Sequence, residues 1–286
     1  MRVFITGGTG YLGSALLRQR PGQPWVLGAS YVSGAPALPG VEWVRLDIRD
    51  AKAVEATLAR FRPAVVIHTA YSKAGPEALE AITVQGSAHV AQACAKLGAR
   101  LIHLSTDQVF DGERPPYAES ALPNPITPYG RAKLEAERRV QAILPEATLV
   151  RTSLIWGLNP LDVTSQMVLE IADGKRAGGL FVDEYRSFVF VEDLAQALWE
   201  LVSLNFQGVL HLGGAEVLSR LEFGRLIAPL HGRDPARLPA QRRADFPEPR
   251  PANCALDSSL ARSLLQTRLR GVREVLRGLG PVRQQP

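Results

Sequence analysis

Cysteine is nearly absent from this chain: Cys94 and Cys254 are the only two among 286 residues. Two thiols cannot build a disulfide framework or a cysteine-based zinc site, and they suit a reducing compartment, so the expected location is cytoplasmic. Nowhere do about 18 apolar residues run uninterrupted, and no membrane span is expected. The chain enters the apolar run Val3-Phe4-Ile5 at once and turns at Gly7, with no basic n-region, apolar h-region or cleavage site, so no secretory leader is expected either. The five histidines lack metal-ligand spacing, and no metal is expected. Internal repeats and low-complexity tracts are missing as well. Hydrophobic residues at 46% and charged residues at 21% are ordinary for a globular protein and exclude disorder, collagen-like repeats and coiled coil.

The net charge of +5 is uneven. Residues 233–286 hold eleven arginines against five acidic residues, an excess of six, so residues 1–232 carry a net charge of about −1. This basic end lacks an aromatic stacking platform. It reads as a solvated face or a seat for a small anion rather than a nucleic-acid surface.

At roughly 150 residues per domain the length suggests two domains. The first half alternates short apolar runs (Val3 to Thr6, Trp25 to Ala29, Val41 to Leu46, Ala64 to Thr69, Arg100 to Leu104, Thr148 to Thr152) with helix-length stretches such as Ala51 to Phe61 and Glu77 to Leu97. Continuous Val/Ile/Leu runs mark strands covered on both faces, hence a parallel sheet between helices. The expected fold is α/β: a Rossmann-type doubly wound parallel sheet over residues 1–152 that binds a dinucleotide. Residues 153–286 are expected to form a smaller mixed α/β C-terminal substrate lobe interleaved with the sheet. In that lobe Asp234 to Pro251 reads as a loop, and a helix closes the chain before Gly280.

Thr6-Gly7-Gly8-Thr9-Gly10-Tyr11-Leu12-Gly13 follows the first strand and opens a helix. Gly7 suits a tight turn, Gly10 a close backbone approach to a pyrophosphate, and Gly13 helix–strand contact, while the helix N-terminus offers N–H groups to the anion. Gly7, Thr9, Gly10, Tyr11, Leu12 and Gly13 are therefore expected to hold a dinucleotide. The second strand should end beside the adenosine ribose, and Gly28-Ala29-Ser30-Tyr31-Val32-Ser33 offers hydroxyls, Ser30 among them, but neither an acid nor a cation. NADP(H) is accordingly preferred slightly over NAD(H), with dual use open. Asp47 and Ile48 suit the adenine edge and face, or Asp47 caps the next helix.

Tyr129 and Lys133 stand one helical turn apart and share a face. A phenol next to an ammonium is expected to become acidic enough to transfer a proton. The fifth strand runs into Ser105-Thr106-Asp107-Gln108, which places the Thr106 hydroxyl where open α/β sheets bind ligands. With the glycine turn, this arrangement resembles the extended short-chain dehydrogenase/reductase family, and most closely the dTDP-4-dehydrorhamnose reductase group. The resemblance covers nearly the whole chain through Asp47, His68-Thr69-Ala70-Tyr71, Ser105-Thr106-Asp107 with Val109-Phe110-Asp111-Gly112, Tyr129 with Lys133, Arg151-Thr152-Ser153, Asp193-Leu194-Ala195 and Arg250-Pro251 with Asn253 and Leu256.

The resemblance implies a nicotinamide cofactor touched by Thr69, Ala70 and Tyr71, with Lys133 on the nicotinamide ribose, Tyr129 as proton donor and Thr106 orienting the carbonyl. It implies a nucleotide-linked keto-sugar met by Asp107, Gln108, Arg186 and Arg250. A second copy of the chain, as a homodimer, stays open; nucleic acid and membrane are not expected partners. The chain departs from the group at Gln85, where Asn is usual, at Gln108, where Tyr is common, and over residues 181–188. An epimerase or dehydratase, or a non-catalytic cofactor-binding regulatory subunit of the kind the methionine adenosyltransferase beta subunit represents, are the alternatives. Gln108 stands where sugar dehydratases carry Glu, and an amide cannot cycle a proton as a carboxylate does. His68 reads as packed rather than as a base, and Arg151 as a phosphate clamp or a structural ion pair.

Overall fold

The structure, a computed structural model, describes residues 1–22, 24–34 and 38–279. Its centre is a sheet of β1 (Arg2–Thr6), β2 (Val26–Tyr31), β3 (Val41–Arg45), β4 (Val65–His68), β5 (Arg100–Thr106), β6 (Thr148–Thr152) and a seventh strand, Gly208–Leu212. The order across the sheet is Gly208–Leu212, β6, β5, β4, β1, β2, β3, and every neighbouring pair is parallel. Alternate residues of a strand face opposite sides. Val3 and Ile5 therefore join a core with α1 (Tyr11–Arg18) and the helix Val191–Ser203, whereas Phe4 joins one with α2 (Ala51–Phe61) and the helix Gly86–Leu97. Two cores explain why these strands read as unbroken apolar runs. β1 has β2 on one side and β4 on the other, so the chain switches direction there and opens a crevice at the carboxyl ends of the strands.

The second half is woven into this frame. It supplies the edge strand Gly208–Leu212 and the helix Val191–Ser203, whose Trp199 indole donates to the Leu16 carbonyl of α1 at 2.9 Å. Around a cluster of Trp156, Phe188, Phe190 and Phe223 it adds two-residue strand pairs, among them Tyr185–Arg186 with Leu218–Ser219. The stretch 234–251 is a loop broken by single 3₁₀ turns at Pro235–Arg237 and Arg243–Asp245, and Ala240–Gln241 pairs with Leu180–Phe181. Among the described residues no helix is long and apolar enough to cross a membrane.

Two local readings change. The helix expected over Glu77–Leu97 is interrupted by a π-turn at Leu79–Gln85. There the Thr83 hydroxyl bonds the Ser72 backbone and the Ser87 hydroxyl donates to the Thr83 carbonyl at 2.6 Å, so side chains compete for the helical ladder. Nor does Asp47 cap α2: Asp50 does, accepting from the Ala53 N–H at 3.0 Å.

Candidate active site

The crevice is a cleft of about 750 Å³. Of the residues expected to hold the cofactor, Gly10, Tyr11, Leu12, Gly13, Thr69, Tyr71 and Lys133 line it. Gly7, Thr9, Ser30, Asp47, Ile48 and Ala70 are not among its lining residues. Gly7 takes φ +71°, and a Cβ at Gly13 would lie 2.1 Å from the Gly7 carbonyl oxygen. Only a bare backbone lets α1 start so close to the turn. Gly10 at its N-cap has no capping side chain, and the first turn holds no acid, so the N–H groups at the start of α1 keep their affinity for an anion. The cradle fits a dinucleotide pyrophosphate. Gly13→Ala is expected to weaken NADPH binding about tenfold or more, read by fluorescence titration, and unchanged affinity would contradict this fit.

Ser30 is tied to the glycine turn. Its buried hydroxyl accepts from the Gly7 N–H at 3.1 Å and its carbonyl from the Gly8 N–H at 2.8 Å, so it braces the turn. Asp47 grips the Arg49 guanidinium, and that hydrogen bonding holds its carboxyl below the usual range. The Gln85 amide donates to Glu80 at 2.7 Å.

Tyr129 is brought to β5 by its helix, Pro128–Ile143. Thr127 caps that helix through the Gly130 N–H at 2.9 Å, and Pro128 presets its first turn. A Cβ at Gly130 would stand 2.1 Å from the Gln108 carbonyl oxygen, so the glycine lets the helix end press on the turn that carries Thr106. Thr106, Asp107, Gln108 and Tyr129 thus face one space. Burial pushes the Tyr129 phenol well above its ordinary pKa, Tyr71 and Asp107 push further, and the Thr106 hydroxyl works the other way.

Lys133, one helical turn from Tyr129, is buried and lines the same cleft. Its ammonium, 4% exposed, donates to the Leu104 carbonyl at 2.5 Å. Burial lowers its pKa to about 8, with Glu137 opposing and Lys73 adding to the drop. Lys133 is charged below about pH 8 and neutral above it. The profile of kcat/KM, which reports the free protein, should therefore fall as pH rises through about 8; a flat profile across that range would contradict the assignment.

The opposite wall is cationic. Asp107, 2% exposed, accepts from the Ser153 hydroxyl at 2.6 Å and faces Arg186 Nε at 3.6 Å. Burial raises its pKa against Arg186, Ser153, Thr106 and Lys73. Arg186 also meets Glu184 at 3.2 Å, and Arg250 meets the same Glu184 at 3.5 Å while stacking 4.5 Å from the Phe181 ring. Arg220 joins them with a buried Nε that has no hydrogen-bond partner among the described residues. Lys73, Arg186, Arg220 and Arg250 outnumber Asp107, Glu184 and Glu248 on this lining, which leaves positive charge for a ligand.

Lys73, Ser153, Glu184, Arg220 and Glu248 line the cleft without having been singled out from the sequence. Lys73 carried one signal, its place just after β4 where such sheets bind ligands; Arg220 and Glu184 carried none. His68 is buried between the hydroxyls of Thr6, at 2.6 Å, and Ser87, at 3.0 Å, and burial lowers its pKa to about 3. It is a packed side chain. Arg151 forms a buried ion pair with Glu137 at 2.8 Å, so it is not free to clamp a phosphate. Among the described residues no group of three or more His, Cys, Asp or Glu side chains is placed to hold a metal ion.

Fold and cleft together define a Rossmann-type α/β protein whose glycine cradle suits a dinucleotide. The RmlD substrate binding domain family matches residues 1–279, and the chain belongs to it. It is 36% identical over 264 residues to a dTDP-4-dehydrorhamnose reductase of Mycobacterium tuberculosis, covering 87% of this chain and 82% of that one. It is 31% identical over 279 residues to methionine adenosyltransferase 2 subunit beta of Xenopus tropicalis, covering 90% and 80%. The fold matches the crystal structure of a dTDP-4-dehydrorhamnose reductase from Bacillus anthracis in complex with NADP, with TM-score 0.81, 23% identity and 97% of each chain covered.

Proposed function

We propose that this chain reduces the ketone of a keto-sugar linked to a nucleoside diphosphate, with NADPH or NADH as the reductant. One observation carries the reading: Thr106, Tyr129 and Lys133 share a cleft with the α1 cradle at one side and Arg186 and Arg250 at another. Residues 1–152 would bind the dinucleotide and residues 153–286 most of the substrate. When bound, the cofactor supplies hydride. The chain's own work is position and charge. The hydroxyls of Thr106 and Tyr129 take the carbonyl oxygen, and as negative charge grows there Tyr129 gives up its proton. Its raised pKa keeps that proton in place until the alkoxide forms. Lys133 holds the nicotinamide ribose, and Arg250, with Arg186 behind it, draws the diphosphate by bidentate hydrogen bonding.

NADP(H) is the favoured cofactor on the absence of an acid at the end of β2, and the relative from Bacillus anthracis was crystallised with NADP. Two free, buried thiols support a cytoplasmic location. Gln108 speaks against dehydration. Oxidation of NADPH and NADH, followed against a panel of nucleotide-linked 4-keto-sugars, tests the reading. Turnover with one of them is expected. A silent panel combined with a stable protein partner would favour a regulatory subunit, a reading that the likeness to methionine adenosyltransferase 2 subunit beta keeps in view.

A further inference from the structure

The loop after β4 carries a cation that the proposed chemistry leaves without work. The Lys73 ammonium stands 4.5 Å from the centroid of the Tyr129 ring and 5.8 Å from that of Tyr71. Lys133 stands 5.8 Å from the same Tyr71 ring, and the two phenol rings are 6.0 Å apart. Two phenols and two ammonium groups thus share one corner of the cleft. The nearby carboxylates are held elsewhere, Asp107 by Arg186 and Glu184 by Arg186 and Arg250, so neither ties Lys73 down.

We propose that Lys73 is a positioning residue for proton transfer: its ammonium over the Tyr129 ring steadies the negative charge that the phenol gains as its proton leaves. The inference rests on Tyr129 being the proton donor of the proposed reduction. A cation beside an aromatic face gains as the ring becomes electron-rich. Tyr129 gains from such help, because burial, Tyr71 and Asp107 all hold its proton on. The charged and titratable groups around this corner come from every neighbouring element. Tyr71 and Lys73 belong to the loop after β4, Asp107 to the turn after β5, Lys133 to the helix of Tyr129, and Arg186 and Arg220 to the second half of the chain. Burial lowers the Lys73 pKa, Asp107 opposes this, and Arg220 and Arg186 add to it.

The test compares wild type, Lys73→Met and Lys73→Arg, with dTDP-4-dehydrorhamnose reduced by NADPH and dTDP-rhamnose oxidised by NADP as probes. Lys73→Met is expected to lower kcat about tenfold with KM nearly unchanged, the size of a partly desolvated cation–π contact. In the oxidation, where Tyr129 must first lose its proton, the acidic limb of the kcat profile should move about one unit towards higher pH. Lys73→Arg should restore most of both. Lys73→Gln, polar and uncharged, should give the same loss, and a Gln variant as fast as wild type would assign the methionine effect to a disturbed loop and overturn the inference. Three further results overturn the inference alone: unchanged kcat in Lys73→Met, a raised KM with unchanged kcat, or an arginine variant as slow as the methionine one. A wild-type chain that turns over neither these probes nor any other member of the keto-sugar panel overturns the proposed reduction and this inference with it.

Discussion

Tyr129→Phe is expected to lower the rate of carbonyl reduction by a factor on the order of 10² or more, in keeping with loss of a general acid, while NADPH binds as before. The substitution removes one oxygen from a half-buried ring. The ring still packs against Tyr71, and the glycine cradle, which lies on β1 and α1, is untouched. The loss should fall on kcat and kcat/KM alike, because the missing interaction belongs to the transition state. Steady-state kinetics with the substrate found in the panel, and fluorescence titration of NADPH, separate the two effects. A Tyr129→Phe chain with undiminished turnover would remove the phenol from the chemistry.

The second large effect is on stability. Arg151→Met leaves the Glu137 carboxylate, 2% exposed, without its bidentate partner at 3.1 and 2.8 Å, with the Ser105 hydroxyl beside it and the Lys133 ammonium one turn away. Breaking one side of a buried ion pair costs about 3–5 kcal/mol, far more than removing both. Denaturant unfolding should therefore place Arg151→Met about that far below wild type. The double variant Arg151→Met, Glu137→Leu should recover part of the loss, because the unpaired carboxylate is gone although the buried Lys133 ammonium loses its nearby countercharge. Equal losses in the single and double variants would mean that shape rather than charge governs this site. Glu137 lies one turn beyond Lys133, so the same pair anchors the floor under the ammonium.

The parts of this protein that could be read from its sequence are those fixed by local geometry. The turn at residues 6–13 was legible because its glycines answer to the backbone alone: a Cβ at Gly13 has no room whatever surrounds it. Tyr129 and Lys133 were legible because helical spacing puts them on one face, and the strands because burial on both faces leaves unbroken apolar runs. What could not be read depends on residues far apart in the chain. That Ser30 also braces the Gly7 turn, 23 positions away, was not visible. Arg220 and Glu184 reach the cleft only because Tyr185–Arg186 pairs with Leu218–Ser219. The contact of the Lys133 ammonium with the Leu104 carbonyl on β5 was hidden for a related reason, since spacing along one helix could not foresee it. The boundary of α2 turned on which of two nearby aspartates, Asp47 or Asp50, reached the free N–H groups.

The most direct measurement is a crystal structure of the chain with NADP and a nucleotide-linked sugar. The account expects the pyrophosphate on the α1 cradle and the reacting carbon between the nicotinamide ring and the Tyr129 hydroxyl, within about 3–3.5 Å of each, with Thr106 beside the same oxygen. A sugar carbon far from Tyr129, or a dinucleotide seated away from Gly10 and Gly13, would contradict it.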